Sequence, residues 1–324
     1  MHVRNPIIHA AAVLMAAALL LPIAACGGGT SDTDIDWSIN ALIDPDAGIE
    51  PVLVTSRVGV GETRLAFALF DNDRNLIDGA ETPRLRLFTI DDEDRGTLVT
   101  EADLHIAQLV GEGTPHAHAD GSDHLHEGPT TTVYAATAQL TQPGWWGAEL
   151  RFDLDGRART LRYRFSVAAG TPEPAIGAPA PPSRQLLLAD VEDIALVDTS
   201  TTPNPALHQL TVADAVATGR PTVIAFATPL FCQTRFCGPV VEQVVSPVWD
   251  RYGSEVNVLH IEPYDVTRAR TGELVPVPSM LEWHLQTEPW IFVLDREGRV
   301  LAKFEGIMSL EEVSAAVDRA LADR

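Results

Sequence analysis

The sequence predicts a multidomain protein, an all-β sandwich followed by an α/β domain. Three observations carry this. The 324 residues are more than one small domain needs. Residues 48–168 hold short runs of alternating apolar residues separated by turn formers, which is strand patterning. Beyond residue 185, continuous apolar runs alternate with helical stripes, the pattern of a buried sheet flanked by helices.

The first 25 residues are set apart from the fold as a targeting segment. Arg4 supplies a short positive region, Ala10 to Ile23 an apolar one, and Ile23-Ala24-Ala25-Cys26 follows. That tetrapeptide resembles a bacterial lipobox. The resemblance implies cleavage before Cys26, a lipid on its sulfur, and anchorage to the membrane on the extracytoplasmic face of the cell envelope. Residues 26–47, opening on Gly27, Gly28 and Gly29, are expected to be a flexible tether. An uncleaved membrane anchor is the alternative, although Pro22 interrupts a stretch near the minimum spanning length. Both readings put the remainder in a compartment that permits disulfides. With Cys26 assigned to lipid, Cys232 and Cys237 are the remaining cysteines.

Within the first domain, Leu65, Phe67 and Leu69 repeat at period two, and Asp71-Asn72-Asp73 and Asp78-Gly79 supply turns. Leu85, Leu87 and Thr89 give a second run. Thr131 to Leu140, Ala148 to Leu154, and the set Leu161, Tyr163, Phe165 and Val167 give three more. Strands at this spacing suggest a sandwich. Together with Val133-Tyr134 and Gly144-Trp145-Trp146, the pattern is similar to small immunoglobulin-like domains of FixH-like and YtkA-like envelope proteins. Residues 169–184, rich in proline, alanine and glycine, are expected to be a semi-stiff linker.

From residue 185 onward, Thr211 with Asp214 can cap a short helix that Gly219 ends. Thr222 to Ala227 and Val256 to Ile261 are apolar runs suited to strands buried on both faces. Val241, Val244, Val245, Val248, Trp249 and Tyr252 form one helical stripe. Pro278 to Leu285 is expected to hold a short helix. Trp290 to Leu294 and Val300 to Phe304 make a hairpin, and Ser309-Leu310-Glu311-Glu312 is a capping box before a last amphipathic helix.

The chemistry concentrates where the first buried strand meets the long helix: Phe226-Ala-Thr-Pro-Leu-Phe-Cys232-Gln-Thr-Arg-Phe-Cys237-Gly-Pro239. This strand, the Cys237-Gly238-Pro239 step, and Glu288-Pro289 ahead of a later strand resemble the thioredoxin superfamily over residues 185–324. The resemblance implies a thioredoxin-like fold, thiol–disulfide exchange by Cys232 and Cys237, and a cis-proline at Pro289 beside the sulfurs. The superfamily's two-residue spacing is here four residues. Positions five apart on a regular helix diverge by about 140°, so the helix must begin near Pro239, with Cys232 in the loop and Cys237 at or just before the helix start. The helix dipole and Arg235 favour a thiolate on Cys237, whereas its place after the strand favours Cys232 as the attacking group.

Two alternatives stand beside exchange. A loop this short gains little stability from closure, so an inert staple is a weak use of the pair. Soft thiolates select Cu(I), and the Sco-like branch of the superfamily is similar in strand, cysteine pair and helix. That resemblance implies a histidine completing a copper site, for which His260 and His284 are the candidates. Separately, His116, His118, His124 and His126 stand in one loop with Asp120, Asp123 and Glu127, a donor set for copper or zinc or else a solvated polar loop.

The formal charge of −22, with Lys303 the sole lysine, argues against nucleic acid as a partner. The expected function is therefore a membrane-anchored thiol–disulfide oxidoreductase acting on extracytoplasmic cysteine-containing proteins, held through the lipid on Cys26 and requiring no cofactor for exchange. A Sco-like copper chaperone or a redox-inactive interaction module are the alternatives.

Overall fold

The computed structural model describes residues 35–38, 42, 48–111, 114–117, 123–126 and 128–323. The targeting segment and Cys26 lie outside them, as does His118. Among the described residues no helix is long and apolar enough to cross a membrane.

The amino-terminal half is built from β1 (Ile35–Asp36), β2 (Ile49–Leu53), β3 (Gly61–Asp71), β4 (Glu81–Ile90), β5 (Arg95–Asp103), β6 (His105–Val110), β7 (Thr114–Ala117), β8 (Asp123–His126), β9 (Thr130–Leu140), β10 (Gly144–Leu154) and β11 (Arg157–Val167). One antiparallel sheet runs β1-β5-β4-β10-β11 and a second runs β2-β3-β9-β6, while β7 and β8 pair as a separate ribbon. Leu65, Phe67 and Leu69 from one sheet and Leu85, Leu87, Trp146 and Leu150 from the other share a buried core. The period-two residues of the sequence are therefore the inward faces of two sandwiched sheets.

The chain enters this sandwich earlier than a tether would. Trp37 is fully buried and its N–H donates to the Asp94 carbonyl at 2.8 Å. The indole lies over Gly96 and Gly147, where an added Cβ would stand 2.1 Å and 2.4 Å from ring atoms. Only glycine leaves room for it there.

The carboxy-terminal half holds a mixed sheet, β12 (Thr222–Phe226), β13 (Asn257–Ile261), β14 (Trp290–Leu294) and β15 (Val300–Glu305), in the order β13-β12-β14-β15. β12 runs parallel to β13 and antiparallel to β14, and β14 antiparallel to β15. Helices α1 (Val212–Ala217), α2 (Cys237–Val240), α3 (Ser246–Tyr252), α4 (Val266–Ala269), α5 (Pro278–Glu282) and α6 (Leu310–Ala322) surround it. Thr211 caps α1 by accepting from the Asp214 N–H, and Ser309 and Glu312 close the capping box on α6. Between α2 and α3 the helix widens to a π turn over Val241–Val245. Pro247, just beyond it, has no N–H to give the ladder, which accounts for the wider turn.

Residues 169–184 lie against this half. Gly177 donates to the Val300 carbonyl (2.8 Å), Val300 donates to Ala178 (2.9 Å), and Ala180 donates to Gly298 (2.9 Å). Buried Glu173 pairs with Lys303 at 2.8 Å. The segment thus pairs with the start of β15 and the turn before it.

The two halves also share a core. Ala66, Ala68, Ala107 and Ala135, on the outward face of the second sheet, pack with Val240, Val244, Val245 and Val248. Large apolar residues on one face of β3 fill the sandwich, and alanines on the other let the helix approach closely. Gln243 clamps the edge strand β6, accepting from the Val110 N–H (3.0 Å) and donating to its carbonyl (2.6 Å). Arg64 donates to both Glu312 oxygens (2.8 and 3.0 Å) and to the Ile307 carbonyl (3.0 Å).

Candidate functional site

Cys232 lies in the loop after β12, and Cys237 is the first residue of α2. Their sulfurs are 2.8 Å apart as free thiols. Closing to a bond length of about 2.05 Å needs a shift of about 0.8 Å. Cys232 is partly exposed and Cys237 fully buried. The helix start therefore falls two residues before Pro239, at Cys237 itself.

This geometry separates the two thiols. The Cys237 thiol and its backbone N–H, 3.2 Å away, both bear on the Cys232 sulfur, and Thr234 Oγ1 lies 3.3 Å from it. Hydrogen bonding from the Cys237 thiol is the largest influence; with the others it overcomes burial and lowers the Cys232 pKa to about 6. Burial pushes the Cys237 thiol strongly up, and the adjacent Cys232 sulfur adds to that. The helix dipole does not make Cys237 the thiolate: its side chain is sealed in an apolar cluster with Ala227 and Val241, and desolvation outweighs the helix terminus. The terminal N–H serves Cys232 instead. Arg235 is exposed in the turn at φ 66°; hydrogen bonds rather than its charge account for the shift.

The longer spacing has a structural use. Buried Glu288 accepts from the Gln233 N–H (3.1 Å) and from the Tyr264 hydroxyl (2.9 Å). Gln233 Nε2 donates to Tyr264 (3.3 Å), and Thr234 Oγ1 donates to the Glu288 carbonyl (3.3 Å). The extra loop residues are thus strapped to the residue before Pro289, whose Glu288–Pro289 peptide is cis. Sulfurs of Cys232 and Cys237 and a carboxylate oxygen of Glu288 lie within 4.8 Å of one another.

Neither histidine considered for copper joins that group. His284 is exposed, with φ 53°, after α5. His260 is buried on β13, its Nε2 donating to the Ala227 carbonyl at 2.9 Å. It belongs to another cluster, with Asp198 and His208, whose ligand atoms all lie within 4.8 Å and which could hold a metal ion. Burial works against the Asp198 carboxylate, yet hydrogen bonds from His208 and Ser200, with the His260 ring close by, hold it below the ordinary range. Asp198 and His208 had no signal in the sequence: Asp198 follows a short 3-10 turn at Ile194–Leu196, and His208 ends another at Pro205–His208. Of the amino-terminal histidines, His116 and His124 are register partners on β7 and β8, and His126 pairs with Thr114.

No family model matches the chain, and no curated protein matches it. Among solved structures, it is similar to a family 123 glycoside hydrolase from Clostridium perfringens, at 13% identity and a TM-score of 0.19, over 40% of this chain and 23% of that one. A likeness at that level carries no argument about fold or activity.

Proposed function

We propose that residues 185–324 form a thioredoxin-like domain and that the protein is an extracytoplasmic thiol–disulfide oxidoreductase, anchored by a lipid on Cys26. The observation that carries the reading is the asymmetry of the pair: a partly exposed Cys232 that accepts hydrogen bonds as a thiolate, against a buried, protonated Cys237 2.8 Å away. The sheet order β13-β12-β14-β15, with the cysteine loop leaving β12 and Pro289 entering β14, supports the fold reading. The amino-terminal sandwich is read as immunoglobulin-like on its two antiparallel sheets.

In the proposed reaction the Cys232 thiolate attacks one sulfur of a client disulfide. The client's second sulfur leaves with the electron pair and takes a proton from solvent. Cys237 then gives up its proton and attacks Cys232 Sγ, expelling the client's first sulfur as a thiolate. The client gains two thiols as this chain gains one disulfide, and the reverse transfers the disulfide outward. Burial of Cys237 delays the second step until the mixed disulfide removes the Cys232 charge beside it. Clients are extracytoplasmic proteins with accessible cysteines.

The test is insulin-disulfide exchange and redox titration of the purified protein. Cys232→Ser abolishes exchange, and Cys237→Ala accumulates a mixed disulfide. Full exchange by either variant refutes the two-cysteine mechanism. A second reading, Cu(I) held by the sulfurs, is favoured by their approach to 2.8 Å, with Glu288 as the third group beside them. The carboxylate is hard and already bonded, which suits Cu(I) poorly. Tight Cu(I) binding lost in both cysteine variants, without exchange activity, selects this second reading.

A further inference from the structure

Asp198, His208 and His260 take no part in thiol exchange, yet their hydrogen bonding does not close on itself. The His208, His260 and Asp198 side chains are 1%, 0% and 1% exposed. His260 Nε2 faces the Ala227 carbonyl at 2.9 Å. A carbonyl only accepts, so this nitrogen carries the proton, and in the neutral ring Nδ1 is a bare lone pair. Nδ1 has no hydrogen-bond partner and faces Asp198 Oδ1 at 3.6 Å. Oδ1 already accepts from the Ser200 N–H and hydroxyl, but the bare Nδ1 facing it in a dry interior favours a positive charge between them.

His208 completes the set, its Nε2 standing 3.0 Å from Asp198 Oδ2. For tetrahedral bonds of about 2.0–2.1 Å, ligand atoms lie about 3.3 Å apart; His208 Nε2 stands 3.0 Å from Oδ2 and His260 Nδ1 3.6 Å from Oδ1, one nitrogen at each carboxylate oxygen, and all the ligand atoms fall within 4.8 Å. A backbone carbonyl holding the far ring N–H is also how metal sites orient their histidines. We propose that Asp198, His208 Nε2 and His260 Nδ1 bind a divalent transition-metal ion of the zinc class. The ion displaces the His208 Nε2 proton, and His208 binds as its other tautomer. Asp198 stays aimed by the N–H groups of Ser200 (3.0 Å) and Asn204 (3.1 Å). Val197, His260 and Glu262 line a cavity of ≈ 710 Å³ beside the cluster. The site ties the 198–208 segment behind the cysteine loop, where Thr199 Oγ1 accepts from the Leu230 N–H at 3.1 Å.

The test uses the full chain in detergent, with Cys232→Ser and Cys237→Ser and with His116, His118, His124 and His126 changed to alanine, so that no other soft or imidazole cluster binds. After stripping with chelator, Zn²⁺ is titrated against a chromophoric competitor and Co²⁺ binding is followed in the visible. One equivalent of each is expected, with Co²⁺ bands typical of nitrogen and oxygen ligands. His208→Ala and Asp198→Asn each weaken binding by at least about 100-fold. Should His208→Ala fail to fold, the Co²⁺ spectrum of the parent protein decides. Absence of stoichiometric Zn²⁺ or Co²⁺ binding overturns the proposal. So do imidazole ¹⁵N shifts showing His260 doubly protonated and unmoved by Zn²⁺, the signature of a proton as the bridging charge.

Discussion

Replacing Cys237 with alanine tests the cause assigned to the Cys232 thiolate. With a pKa of about 6, Cys232 is about 90% thiolate at pH 7, against about 1% for a thiol at 9.0. Removing the Cys237 thiol takes away the largest stabilising influence but leaves the Cys237 N–H and Thr234, so the Cys232 pKa moves back up toward 9.0. For every tenfold weakening of the acid, the thiolate fraction at pH 5.5 falls by about 8–10-fold while nucleophilicity rises about 3-fold at a Brønsted slope of about 0.45, so iodoacetamide alkylation of reduced protein slows by about threefold. At pH 9 both forms are ionised and the variant reacts several-fold faster, so the rate–pH curves cross. Coincident curves for the two proteins, or a wild-type midpoint above pH 8, refute the reasoning. The folded pKa lies below the unfolded 9.0, so the contribution to the reduced fold is complete above pH 9 and is lost as pH falls through about 6.

Arg64→Ala leaves Glu312 without its bidentate partner in a site where the side chains are 8% and 14% exposed, and is expected to cost about 3 kcal/mol in urea unfolding; a loss under 1 kcal/mol would count against a buried role. Gly147→Ala drives a Cβ to 2.4 Å from the Trp37 ring and is expected to destabilise by about 1–3 kcal/mol, with earlier proteolytic cleavage between residues 35 and 48; wild-type resistance would show that Trp37 is not seated there. Tyr264→Phe removes the donor to Glu288 and the acceptor of Gln233, with an expected cost of about 1–3 kcal/mol and faster amide exchange at Gln233; unchanged exchange would mean that the strap does not hold the loop.

Periodicity made the sandwich strands legible where one face is buried, as in Leu65, Phe67 and Leu69. It passed over β5, whose Arg95–Asp103 run is polar and mostly exposed, and β2, broken by Pro51. The apolar runs of β12 and β13 were legible because both faces are covered, and the capping boxes because they are local. The cysteine pair was visible as spacing, but the order of the two thiols was not. Burial of Cys237 comes from Ala227 and Val241 folding around it, and no residue type announces that. The Asp198–His208–His260 cluster joins residues up to 62 apart in sequence through an irregular segment without a period to read. Residues 169–184 have the composition of a linker, yet their backbone groups find partners on β15, which composition does not encode.

Burial of Trp37 shortens the leash. About nine peptide units separate Cys26 from Ile35, where β1 begins, and a fully extended chain of that length spans at most about 30 Å. With a lipid on Cys26, as proposed, the start of β1 stays within that distance of the bilayer surface. Because the halves share a core, the sulfur of Cys232 is carried with the sandwich and cannot swing out on a hinge of its own. On the proposed anchorage and activity, clients would be met at whatever height above the bilayer the folded body carries Cys232, rather than sought by a thiol on a mobile arm.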